Sequence, residues 1–284
     1  MPCYIEQVIA PTHMLLVVIV AVIAVGIGVG LIYGEVPRGR LERFASRQHL
    51  PVTATNGNQV IAYLATTRRW RATGVIAGLV VSVLVSLGDG RVEIGFLWLF
   101  AGWFVGALVA EVRVAHLARG ARRQASLQPR TFHTYLPAFA WHLVPATAAL
   151  ATLITAACVA LSLWYLHHVN LPVLAWYAVA MGLAALVRVT QLRVLRRPQP
   201  VAAADVIAGD DAIRSRSLHV LAGGGATLIV YCALNSLAAV DLGRDDPWIA
   251  AASVALPIGV LATPLLGLIV ATNSWRVRRP VEAL

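Results

Sequence analysis

The side chains of this 284-residue chain that could do chemistry are eight histidines, three cysteines and thirteen carboxylates. His142 and His219 each stand at the start of a long apolar run. A haem could be held between two such histidines if their helices touch. Two-haem four-helix bundles, however, need histidines at both ends of each ligating helix. Only the run that begins at His142 has them, with His167 and His168 at its far end. Cys3, Cys158 and Cys232 have neither metal nor redox spacing, and the last two sit inside apolar runs as small core residues do. No Cys/His set has zinc spacing, and neither HExxH nor GxSxG occurs. Asp205, Asp210 and Asp211 form the only local carboxylate group. A metal-dependent lipid phosphotransferase would need a second set. Asp210 and Asp211 read instead as the acidic start of a helix, where they complement its dipole. Glu111 falls about one turn from the end of its run with Arg113 beside it, an interfacial charge rather than a coupling carboxylate. The expectation is no catalytic residue, no cofactor and no metal.

The basic residues exclude more. All 23 are arginine, and lysine is absent. A retinal Schiff base and a Walker-type phosphate loop both require lysine. The chain is therefore neither a rhodopsin nor a nucleotide-binding protein of that kind.

The elements that would carry these residues follow from hydropathy. The chain is 59% hydrophobic and 13% charged, with a mean hydropathy of +0.75. Soluble domains lie near 45–50% and about 25%. A soluble enzyme, a secreted disulfide scaffold and a disordered chain are excluded; an integral membrane protein remains. Crossing a bilayer takes about 20 apolar residues. Seven runs qualify, near residues 11–33, 72–87, 94–112, 139–166, 171–189, 218–240 and 248–272. The second is the shortest and borrows Trp70 as an anchor; without it there would be six spans. The expected fold is all-α, a polytopic seven-span bundle in one integral membrane domain over residues 1–284. One lead helix is followed by three hairpins.

Charge placement sets the expected orientation. No arginine precedes the first run, unlike a signal peptide, and Arg38, Arg40, Arg43 and Arg47 follow it. Twenty-one arginines fall on one side of the seven-span scheme against seven carboxylates, a charge of +14. Only Arg91 and Arg244 fall on the other, against six carboxylates, a charge of −4. The positive-inside rule then places the N-terminus outside and the C-terminus in the cytoplasm of a bacterial inner membrane. Membrane orientation explains the basic face, so nucleic acid is not an expected partner. Anionic inner-leaflet lipids are, with a protein partner or a second copy as further possibilities.

The cytoplasmic segments are 34–71, 113–137 and 190–217. Residues 34–47 read as basic and turn-rich. Residues 58–71 read as an amphipathic helix capped by Asn56 or Asn58, lying along the inner leaflet and running into the second span. The hairpins repeat weakly: Arg113-Val114, Arg188-Val189 and Arg276-Val277 end the second helix of each. His142 and His219 open two of the first helices, with Arg71 near that place in the other. Arg113, His142, Arg188, His219 and Arg276 are thus candidates to line one cytoplasmic mouth. Asn235 is the candidate intramembrane polar residue, more suited to bonding a neighbouring helix than a substrate. The pairs Gly26/Gly30, Gly74/Gly78 and Gly102/Gly106, and the run Gly223-Gly224-Gly225, are candidate close-packing faces. Pro257 and Pro264 should kink the last span.

The stretches IAYLATTRRWRATG, LQPRTFHTYLP and DDAIRSRSLHVLAGGGA resemble segments of multi-pass membrane proteins of actinobacteria that have no assigned function. The resemblance covers most of the chain from about Asn56 onward. It implies a bacterial inner membrane and carries over no catalytic or binding residue. Three functions stay open: a non-enzymatic component or accessory subunit docking a partner through its arginine-rich loops, a permease for an apolar or amphipathic solute, and, last, a membrane enzyme.

Overall fold

The structure is a computed structural model that describes residues 19, 22, 25–88, 95–117, 123–124, 131–200, 203–240, 259, 262–263 and 265–272. Among these the regular structure is helical but for one antiparallel two-residue pairing, Arg123–Gln124 with Gln199–Pro200. The helices are α1 (residues 25–33), α2 (Arg38–Gln48), α3 (Ala54–Gly88), α4 (Phe96–Leu117), α5 (Ala138–Leu166), α6 (Leu171–Arg196), α7 (Ala204–Ala238) and α8 (residues 265–272). Four of them, α3, α5, α6 and α7, are long and apolar enough to cross a membrane. The chain divides into two compact units, Met1–Leu41 with Asn58–Leu117, and Glu42–Gly57 with Ala118–Leu284.

Two expectations about residues 34–71 are corrected. The turn-rich reading of 34–47 gives way to α2. Leu41, Phe44 and Ala45 recur at helical spacing, and Phe44 and Ala45 are buried. His49, at φ 44°, ends the helix in the left-handed region. Leu50 then donates to the Ala45 carbonyl and His49 to Ser46, so the last carbonyls are satisfied by a Schellman turn. The helix expected over 58–71 does run on into the second apolar run, as the single 35-residue helix α3. Its cap is Thr53, not Asn56 or Asn58. The Thr53 hydroxyl accepts from the Asn56 amide, and the Asn56 side chain accepts from Thr53 N–H at 2.8 Å. That reciprocal pair is a capping box with Asn56 in the third helical position.

In the first unit α3 and α4 cross through glycine. A Cβ on Gly74 would land on the Gly102 carbonyl oxygen, and one on Gly102 would land on that of Gly74. Gly78 meets the Trp98 carbonyl and Gly106 that of Trp70 in the same way. Both expected small-residue pairs therefore face each other. The expected pair Gly26/Gly30 does not pack, since a Cβ at either meets open space; Gly28 faces Ile76 instead.

The second unit is built around α7. Some 83% of its most apolar window is buried, against 22% in each of α5 and α6, so α7 is the core and those helices are its wall. Gly223 admits the backbone of Gly267 and Ala271, and Gly225 admits Val187 of α6. Both ends of the α6/α7 pair are tied. Asn170, in the turn before α6, donates to the Ala239 carbonyl at 2.6 Å, and the Arg214 side chain reaches the C-terminus of α6. At about 1.5 Å per residue a 35-residue helix is about 52 Å long, well beyond an apolar core of about 30 Å. Much of α7 before Leu218 therefore extends past any single crossing, and that is where its charges lie.

Candidate functional site

The polar stretch of α7 from Asp205 to His219 gathers the ends of its neighbours. Asp205, in the first turn, accepts from the hydroxyls of Thr53 at 2.7 Å and Thr55 at 2.5 Å. Asp210 is buried between two arginines: Arg197 Nη2 donates to Oδ1, and Arg214 Nε to Oδ2 at 2.7 Å. Arg214, fully buried, also donates to the carbonyls of Val194, Leu195 and Pro198. These are the last carbonyls of α6 and its exit. A guanidinium there satisfies orphan acceptors and meets the negative end of the helix dipole. Asp211 accepts from Tyr135 Oη at 2.9 Å, and Ser215 Oγ donates to the Tyr135 carbonyl at 2.9 Å. Arg216 donates to the carbonyl of Ala271 in α8.

Asp210 and Asp211 are therefore not a helix start. α7 begins at Ala204, so both lie past its first turn. Their partners are side chains rather than the dipole. The signal available in the sequence was the i,i+4 pair Asp210/Arg214, which points along one helix face. Tyr135, Arg197 and Thr53 carried no local signal, since each meets α7 only in three dimensions.

The residues expected at a shared mouth behave differently from one another. Arg113 belongs to the first unit, where its guanidinium lies 5.2 Å from the ring centroid of Trp70. Arg188 and His142 belong to the second and flank one aromatic cluster. Arg188 stands 3.7 Å over Trp141, Phe132 stacks on Trp141 at 4.6 Å, and His142 sits edge-on to Phe132 at 6.3 Å. His142 is exposed, whereas His219 is 2% exposed. The His219 Nδ1 lies 2.8 Å from the Ser215 carbonyl, which can only accept, so that nitrogen carries the proton. Its Nε2 has no partner among the described residues. Arg276 lies outside the described residues, as do Pro257, Pro264 and the loops holding Arg91 and Arg244. Asn235 donates to the Tyr231 carbonyl of its own helix at 2.9 Å. Among the described residues no three His, Cys, Asp or Glu side chains are placed to hold a metal.

Comparison with protein-family models, with curated proteins and with solved structures finds no match to this chain.

The chemistry of the α7 stretch is that of a fastener. Its carboxylates are occupied by hydroxyls and guanidinia, and it joins the start of α3, the Tyr135 segment, the exit of α6 and the end of α8.

Proposed function

We propose that this protein is a non-catalytic component of a bacterial inner membrane, crossing it seven times with the N-terminus outside. Its arginine-rich cytoplasmic side docks an acidic segment of a partner protein. The reading also takes the chain as one of the actinobacterial membrane proteins it resembles. The observation that carries it is the division of the arginines into two pools. Arg197 and Arg214 are buried and hold the fold, whereas Arg38, Arg47, Arg193 and Arg196 are exposed. Exposed guanidinia are suited to bidentate recognition of carboxylates.

Two measurements test it. A reporter active only in the cytoplasm should be silent at Gly243 and active at the C-terminus; activity at Gly243 would sink the seven-span topology. Native-membrane nanodiscs should release the chain with one other polypeptide in fixed ratio, lost from R193Q/R196Q. A bare chain, or an undiminished complex in the variant, overturns the docking function.

A further inference from the structure

The first unit holds a cavity of about 490 Å³ between α1, the start of α2, α3 and Trp103 of α4. That is within the range of about 300–1,000 Å³ typical of small-molecule sites. Its two ends differ in chemistry. One wall is apolar, from Ile27 and Leu31 of α1 and Val75 and Ile76 of α3. At the other end stand Arg40, Arg68 and Arg71. The order follows from the sequence of α3, in which two arginines three apart are followed on the same face by Val75 and Ile76.

The arginines are underused. Arg68 Nη1 donates to the Glu35 carbonyl at 2.7 Å, but its Nε and Nη2 are buried without a partner among the described residues. Arg71 lies over the Trp103 ring at 5.1 Å, and its Nε is likewise buried with no partner among the described residues. Among the described residues no carboxylate lines the cavity. Buried donors on a charged group are costly to leave unanswered. Arg69, by contrast, is exposed and spends its Nε on the Ile32 carbonyl at 3.0 Å. Two guanidinia with unanswered donors, beside a third at the exposed Arg40, call for an anion, and the adjoining apolar wall calls for a hydrocarbon tail. Trp70 and Trp103 flank this level, as tryptophans do where hydrocarbon meets headgroups.

We propose that this cavity binds one anionic phospholipid, its phosphate held in the fork of Arg68 and Arg71 beside Arg40 and an acyl chain along Ile27, Leu31, Val75 and Ile76. The site does not depend on the docking partner. A guanidinium pair offers the bidentate geometry a phosphate takes, and the leaflet the arginines would face is the anionic one.

The test uses the full chain in nanodiscs of phosphatidylcholine with one tenth phosphatidylglycerol, read by native mass spectrometry. One phosphatidylglycerol per chain should stay bound, and R68Q/R71Q should cut its occupancy at least tenfold. R47Q, which alters an exposed arginine outside the cavity, should leave it unchanged. R68K keeps the charge without the fork and should fall between. Equal retention of the two lipids by the parent chain overturns the site even if the double variant fails to fold. So does undiminished occupancy in R68Q/R71Q. A second arm adds inorganic phosphate to the protein in neutral detergent. No rise in unfolding temperature is expected. Stabilisation by phosphate matching that by phosphatidylglycerol would replace the lipid with a free anion.

Discussion

Asp210 neutralises two arginines at once, and one of them, Arg214, is fully buried. Removing its charge leaves both guanidinia without their shared carboxylate, and breaking a buried pair from one side costs about 3–5 kcal/mol. D210N should therefore lower the unfolding midpoint of the detergent-solubilised protein by more than any other single change at this stretch. Replacing the pair's other side is a different experiment, because Arg214 also serves three carbonyls. Y135F removes one hydrogen bond to a carboxylate, with an expected loss of about 1.5–3 kcal/mol, while its backbone bond from Ser215 survives. If D210N and Y135F destabilised equally, the central place given to Asp210 would be wrong. Little of this was legible beforehand. Local spacing displays Asp210 with Arg214, yet it cannot display Arg197, which approaches from the other side of a proline-containing turn. Adjacent aspartates also suit a helix start, so the dipole reading was natural and the longer helix overturned it.

A hydropathy profile measures apolarity, whereas a helix continues as long as its backbone bonds do. That is why the α5/α6 hairpin was legible almost to its ends, through the short His167–Asn170 connection, while α7 was read too short and α3 needed its interfacial stretch and its span to be joined. Each carries a polar stretch that a membrane window rejects and a helix accepts. The glycine faces were legible in part. Spacing identified Gly74/Gly78 and Gly102/Gly106, but Gly26/Gly30 has the same spacing and meets open space. A repeat of four says which residues share a face, and not whether a partner is there. Substitution separates the cases. G74A and G102A each drive a methyl into a facing carbonyl, and overpacking of that kind costs about 1–3 kcal/mol. G26A should be neutral or slightly stabilising, since alanine is the better helix former by about 1 kcal/mol. Within α7, G223A meets backbone and should be worse tolerated than G225A, which meets only the methyls of Val187. Thermal unfolding of the five solubilised variants gives the ranking; a destabilised G26A would place a partner on that face.

For the molecule as a whole, orientation depends on where the arginines outnumber the carboxylates. The lead helix is the sharpest case, because no arginine precedes it and Arg38, Arg40, Arg43 and Arg47 follow within fifteen residues of Tyr33. In the proposed topology those four hold its C-terminal end in the cytoplasm. Arginines close to the end of a span dominate the choice, and the first helix usually weighs most. The structure adds a second restraint on the same end: Arg68 and Arg69 of α3 bind the carbonyls of Glu35 and Ile32. Charge should act during insertion, and those two bonds only once α3 has arrived. Neutralising all four arginines to glutamine should therefore invert the lead helix in a fraction of molecules, with the hairpins that follow keeping their own loop charge. A reporter active only in the cytoplasm, fused before Met1, should be silent in the parent and active in part of the quadruple variant. R68Q/R69Q should leave that reporter silent while lowering the unfolding midpoint. A fully silent quadruple variant would mean that later arginines carry the orientation and that the lead helix merely follows them.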